Sequence, residues 1–244
     1  MEKMNVDINY LFNSSFIVET ENYLLIFDYY KDYVEKGSKN KSNGAISIDD
    51  LKTNKKILVF ISHSHEDHYN PVIFKWADKV SNIKYILSSD IKLKKSYENI
   101  NIISPYEDII LDDVYVKAFG STDIGASFLI KVDSVVIFHA GDLNWWYWKD
   151  DPQMEIEKAE IWYKDEVKKI KEAYIDIAFF PVDPRLEENY YLGPQYFIEE
   201  TAPKIFIPMH FGENYEITKK FTQVIQNQST RVVEITHRGQ QINL

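Results

Sequence analysis

The 244-residue sequence contains no cysteine. That absence removes disulfides, thiolate metal ligands and thiol nucleophiles together, so any metal must be held by imidazole and carboxylate. It is also compatible with a reducing cytosol. Long apolar runs are missing as well: no stretch approaches the roughly 18 apolar residues that span a bilayer, and "MEKMNVDINY" at the start lacks the apolar segment of a secretion signal. A soluble, cytoplasmic protein with no membrane partner is expected. Basic charge is scarce, with 28 Lys and Arg against 38 Asp and Glu and a net charge of -10. Nucleic acid, which requires a basic footprint, is therefore not an expected partner, whereas a small molecule is. A small anion stays compatible with the charge, because a bound metal inverts the local field.

What is present is enough for a substantial core: 45% of the chain is hydrophobic and 15% aromatic, over a length that fits one large domain or two small ones. No low-complexity linker or repeat interrupts the chain, and we read residues 1–244 as a single domain. Period-two or continuous apolar runs predict strands at "VDINYLF", "SFIVET", "NYLLIFD", "KILVFIS", "IKYILSS", "VYVKAFG", "ASFLIKV", "SVVIFHA", "DIAFFPV", "KIFIPMH" and "RVVEIT". Helices are predicted at "NPVIFKWADKV", with Asn70 as cap and Pro71 at the first position, and over Gln153 to Tyr174. In the latter, Ile156, Ile161, Trp162, Val167 and Ile170 are the expected buried stripe. Two more fall on "GPQYFIEETAP" and "YEITKKFTQVIQNQ". Strands and helices in both halves, with early strands close enough for hairpins, predict an α+β protein with layered mixed sheets.

Histidine is sparse, six in all, yet three fall within the six positions of "HSHEDH", directly after the apolar run "KILVFIS". His63 and His65 lie two apart and point the same way in extended backbone. Asp67 and His68 follow in the loop before the Asn70 cap. That arrangement can present two imidazoles to one point and a carboxylate with a third imidazole to a neighbouring point, the donors that zinc and similar divalent ions accept.

The pattern His63-x-His65-x-Asp67-His68 after an apolar strand resembles the metal-binding signature of the metallo-β-lactamase superfamily. Asp142 in "VVIFHAGD" and His210 in "KIFIPMHFG", each after an apolar strand, extend the likeness. The order of segments, with "YLGPQYFIEETAPKIFIPMH" near the end, most resembles the branch containing L-ascorbate-6-phosphate lactonase. The resemblance implies a four-layer αββα sandwich of two mixed sheets with outer helices. It also implies that His63 and His65 hold one metal, that Asp67, His68 and His210 hold a second, and that Asp142 bridges them. Zinc is the expected ion, one or two per chain, with manganese or iron as alternatives. A homo-oligomer is compatible with the same likeness.

One element departs from the family pattern. A third histidine belongs on the loop before the Asp142 strand, and "AFGSTDIGASF" contains none. Asp123 can substitute or can be a turn residue; His139, three before Asp142, tends to the opposite face of its strand and is read as a supporting or core residue. A divalent ion lowers the pKa of water toward ~7 and polarises the carbonyl or phosphoryl oxygen under attack. There is no Gly-x-Ser-x-Gly elbow either. The expected activity is hydrolysis of a small ester, lactone, phosphodiester or amide by metal-activated water, with Asp67 or Asp142 as the catalytic carboxylate. The competing reading is a degenerate, non-catalytic metal- or ligand-binding protein. Trp145, Trp146, Tyr147 and Trp148 can line a substrate pocket or pack beneath the following helix. Arg185 can bind a substrate anion or pair with Glu187 or Glu188. His237 matches no ligand position.

Overall fold

The computed structural model describes residues 4–93, 98–225 and 229–244. The chain divides into two compact units, one of Met1–Ile103 with His237–Leu244 and one of Ser104–Thr236. Each is built on a seven-stranded mixed sheet.

In the first unit the sheet order is β14-β1-β2-β3-β4-β5-β6. The strands are β1 (Asp7–Phe12), β2 (Ser15–Glu19), β3 (Tyr23–Phe27), β4 (Lys56–Ile61), β5 (Ile83–Ser88), β6 (Ile100–Ile103) and β14 (Gln241–Asn243). The β14-β1-β2-β3 portion is antiparallel, and from β3 onward every pairing is parallel. Parallel strands are covered on both faces and read as unbroken apolar runs. Accordingly β3 is buried throughout, as is β4 after Lys56. One face of β4, with Ile57, Val59 and Ile61, packs with Ile73 and Trp76 of the segment Pro71–Asp78. Each such side chain contributes about 1.5–3 kcal/mol through burial. That segment is a 3-10 helix, and its start is as predicted: Asn70 caps it, accepting from Val72 N at 3.0 Å, with Pro71 following.

In the second unit the order is β13-β12-β11-β10-β9-β8-β7. Here β7 (Asp108–Leu111), β8 (Val114–Phe119), β9 (Ser127–Val132) and β10 (Val135–His139) form an antiparallel meander. β11 (Ile177–Pro181), β12 (Ile205–Met209) and β13 (Arg231–Val232) continue it in parallel. Helices α1 (Gln153–Ile170) and α2 (Leu192–Thr201) cover this sheet through aromatic contacts. Phe197 of α2 stacks on Phe138 and Phe180, and Tyr163 of α1 meets Phe180 edge-on. Helix α3 (Glu216–Val224) seats Phe221 against Phe206. The end of the predicted "YEITKKFTQVIQNQ" helix, residues 226–228, lies outside the described residues.

The buried stripe of α1 corrects the expected one. Ile156, Val167 and Ile170 are inside, but Ile161 is 62% and Trp162 50% exposed, and Tyr163 and Glu166 are buried instead. Glu166 tolerates burial because its Oε1 accepts from Tyr106 Oη at 2.8 Å and from Lys169 Nζ at 2.7 Å. Among the described residues no helix is long and apolar enough to cross a membrane.

Candidate functional site

The chemistry-bearing residues gather where parallel strands end. In an open sheet the carboxyl ends of parallel strands leave a crevice in which loops can aim side chains. Asp28 directly follows β3 and His63 lies two residues after β4, and because those strands pair in parallel with Phe27 opposite Phe60, the two ends lie side by side. In the second unit, Asp142 follows β10, Asp183 follows β11 and His210 follows β12, with His139 opposite Phe179 and Pro181 opposite Met209.

In the first unit the histidines form one cluster. The His63 ring lies 4.7 Å from that of His65 and 4.0 Å from that of His68, centroid to centroid. Ring nitrogens of His63 and His68 lie within 4.8 Å of one another. The loop folds back on itself: the backbone amides of His68 and Tyr69 both donate to His65 O, and Ser64 N donates to Asp90 Oδ2 at 2.8 Å. His63 and His68 are buried and His65 is exposed. The Asp67 carboxylate is half-exposed, with Oδ2 3.8 Å from His68 Nε2 and accepting from Asn13 Nδ2 at 3.4 Å.

Asp28, which sequence reasoning missed, sets the proton positions here. It is buried and accepts from Ser62 N at 2.7 Å, Ser62 Oγ at 2.7 Å and His68 Nδ1 at 2.8 Å. A carboxylate only accepts, so His68 carries its proton on Nδ1 and offers a lone pair at Nε2. The Ser62 hydroxyl has one proton, spent on Asp28; toward His63 Nδ1 at 2.9 Å it must accept, which puts that ring in the same tautomer. The signal for Asp28 was an acid closing the wholly apolar "YLLIFD" beside the strand that ends in the histidines.

The second unit repeats the device. His210 Nδ1 lies 2.9 Å from Asp183 Oδ2, and Nε2 is 3.3 Å from Asp142 Oδ1. Arg185 grips Asp183 through Nε and Nη2, at 2.6 Å for the shortest contact. Burial opposes the charge on Asp183, but the hydrogen bonds from His210 and Arg185 hold its carboxyl below the ordinary range. Asp28 and His210 both sit in the left-handed backbone region, at φ 42° and 63°. Such conformations cost about 1–3 kcal/mol, and the surrounding packing has to sustain them.

His139 is wholly buried, packs on Phe179 at 5.9 Å and accepts from Gly141 N at Nδ1. Its proton is therefore on Nε2, the opposite tautomer from the other three rings, and it shapes the turn before Asp142. The tryptophans divide. Trp145 stacks on Tyr163 of α1 beneath Lys164, whereas Trp146 donates from Nε1 to Asp142 O at 3.1 Å and meets His210 edge-on at 5.8 Å. Trp148 stacks on Trp146 and lines, with Arg185 and Leu186, a cavity of about 270 Å³. Asp123 is exposed, and a carboxylate oxygen of it lies within 4.8 Å of one of Asp142. His237 is exposed.

Donors of this kind fit a divalent metal. Imidazoles that ligate metals usually hand their other N–H to a carboxylate or a comparable acceptor, which fixes the tautomer and raises basicity. His68 on Asp28, His63 on Ser62 and His210 on Asp183 each show that arrangement. A family model described as the beta-lactamase superfamily domain matches residues 7–210. The chain belongs to the metallo-β-lactamase superfamily. Solved structures show the fold. Igni18, described as a novel metallo hydrolase from Ignicoccus hospitalis KIN4/I, is 17% identical with a TM-score of 0.65, covering 99% of each chain. The metallo-β-lactamase fold protein YhfI of Bacillus subtilis is 14% identical with a TM-score of 0.60, covering 98% of this chain and 99% of its own. CmlA, a diiron β-hydroxylase of Streptomyces venezuelae, is 11% identical with a TM-score of 0.62 over all of this chain and 55% of its own. No curated protein matches the chain in sequence. Within the superfamily, the two mixed sheets with their helices give this member the expected α+β fold.

Proposed function

We propose that the chain is a metal-dependent hydrolase acting on a small ester, lactone, phosphodiester or amide, of the kind met in the lactonase-like branch. In this reading His63, His65, Asp67, His68, Asp142 and His210 serve one or two divalent ions, and the two units act as a single domain. Zinc is the first candidate; the fold shared with a protein described as a diiron β-hydroxylase keeps iron among the alternatives. The observation that carries the proposal is the common tautomer of three buried imidazoles, each with Nδ1 committed to Asp28, Ser62 or Asp183 and Nε2 left as the ligating atom.

When bound, a divalent ion supplies Lewis acidity and lowers the pKa of water toward neutrality. The remaining work belongs to the protein. Asp142 is the carboxylate placed to orient the attacking water and take its proton, with its backbone carbonyl held by Trp146 Nε1. Asp67, half-exposed beside His68, is the second acceptor. The rings of Trp146 and Trp148 exclude water from the His210 side and supply an apolar wall for substrate. Arg185, bound to Asp183, keeps that carboxylate charged and thereby keeps His210 oriented.

Elemental analysis of the purified protein, with turnover on a panel of lactones, phosphodiesters and amides, tests this. Metal at one or two equivalents and an activity lost in Asp142→Ala are expected. A protein that binds metal and turns over nothing supports instead the ligand-binding reading, which the lack of a third histidine in residues 118–128 favours.

A further inference from the structure

Helix α1 carries apolar residues on two faces. Ile156, Tyr163, Val167 and Ile170 are buried and account for its packing on the sheet. Ile161 and Trp162 stand outside, and Met154 and Tyr106 are likewise more than half exposed. Residues seven apart fall on one side of a helix, so Met154 and Ile161 share the outer face, with Trp162 beside them. Tyr106 widens the patch on one flank: its ring centroid lies 4.6 Å from Lys169 Nζ, and its Oη donates to Glu166 of α1. One exposed apolar side chain needs no explanation. A group of them with a tryptophan at its middle is the composition of a protein contact.

The charges around the patch point to the occupant. The middle of α1, an 18-residue helix, falls between Ile161 and Trp162. A second α1 laid antiparallel, about a two-fold axis through that midpoint, sets each residue at the level of the one equally far from the centre on the other side. Ile161 and Trp162 then meet their own copies at the axis. Lys158 comes to the level of Asp165 at both ends, and further out Glu155 comes to the level of Lys168 and Lys169, every match being of opposite sign. A parallel copy would instead set Lys158 against Lys158 and Asp165 against Asp165. Within one chain these groups already pair on the surface, Lys158 with Glu155 at 2.8 Å and Lys168 with Asp165 at 2.9 Å, so both ends present an ordered ion pair to the second copy. A surface that complements itself when reversed is what a two-fold contact requires.

We propose that the outer face of α1 is the contact through which two copies of this chain form an antiparallel, two-fold dimer, with Ile161 and Trp162 as its apolar centre and Lys158 and Asp165 fixing its direction. The inference goes beyond the hydrolase reading and does not rest on it. A helix of this length spans about 27 Å, and a contact centred on one such helix lies toward the low end of the roughly 1,200–2,000 Å² of specific interfaces. The dimer is therefore reversible, with a dissociation constant on the order of micromolar.

Sedimentation velocity of the full chain across the micromolar range is the test. The parent should pass from monomer to dimer as concentration rises, and Trp162→Glu, which alters a half-exposed side chain and should melt as the parent does, should weaken the dimer at least about thirtyfold. Lys158→Glu and Asp165→Lys each set like charges against one another at both ends, and each should weaken self-association about tenfold. Mixed together, the two variants regain an opposite-charge match at each end, and their heterodimer should form within about threefold of the parent's affinity. Damage to the fold cannot produce that recovery. A parent that stays monomeric at every concentration refutes the dimer and leaves the face to another occupant or to none. A dimer that survives Trp162→Glu refutes this face as its contact, and variants that do not recover on mixing refute the antiparallel register.

Discussion

Replacing Asp28 by asparagine should disable His63 and His68, two of the proposed metal ligands, without touching either residue. The substitution keeps shape and size but puts an amide, which donates, where Oδ2 now receives both Ser62 Oγ and His68 Nδ1. The other oxygen can go on accepting from Ser62 N. To avoid donor facing donor, His68 must shed its Nδ1 proton to Nε2. Ser62 must turn its hydroxyl proton away from residue 28 and toward His63 Nδ1, which flips that ring as well. Hydrogen bonds to a charged group contribute about 1.5–3 kcal/mol each, and neutral replacements return about 1. The metal-free protein should therefore lose roughly 1–4 kcal/mol, read from urea unfolding monitored by circular dichroism. Loss of one outer partner typically weakens metal binding 10–100-fold, and with two rings affected the upper end, about 2.7 kcal/mol, is expected. Competition against a zinc chelator at neutral pH measures it. A folded Asp28→Asn protein that holds zinc within about threefold of the parent would refute the tautomer argument, and with it the reason for regarding Asp28 as part of the centre.

Other expectations follow from single contacts. Thr122→Val removes both bonds to the Asn144 backbone and should cost about 1–3 kcal/mol by denaturant titration; a change below about 0.5 would show that the clamp is not needed. In Gly193→Ala the new Cβ would stand 2.0 Å from Asn144 Oδ1 and 2.9 Å from Trp145 N, so a melting temperature lower by about 2–12 °C is expected in calorimetry. Burial works against the charge of Glu19, yet the ammonium groups of Lys55 and Lys41 hold its carboxyl below the ordinary value of 4.5. A depressed pKa stabilises the fold above that ordinary value and ceases to do so as pH falls through the folded one. Glu19→Gln should accordingly be less stable than the parent at pH 7, by under about 1 kcal/mol, and equal to it near pH 3.

The parallel strands were the most legible part of the sequence, because burial on both faces leaves continuous runs such as "YLLIF" and "IAFFP" that match no helical period. Short edge strands were not: "INII" and "DIIL" each leave an isoleucine outside, Ile102 at 46% and Ile110 at 70%, and give no run long enough to register. In α1 the apolar pattern pointed to Ile161 and Trp162, but a tyrosine bonded to Gly193 O and a glutamate bonded to Tyr106 and Lys169 take the inner face. Partners distant in sequence made those polar residues cheap to bury, and composition cannot show them. The histidine triplet was legible by density alone. Asp28 and Asp183 needed the register of β3 with β4 and of β11 with β12, a relation between remote segments.

The backbone at His210 limits how this centre can change. At φ 63° the position accepts asparagine, aspartate or glycine with little strain, and histidine better than most, while valine or isoleucine there would strain the chain. The replacements that leave the main chain undisturbed are chiefly oxygen donors. For the proposed metal centre, drift at this residue therefore leads more readily to an ion of different hardness than to an oily, metal-free pocket.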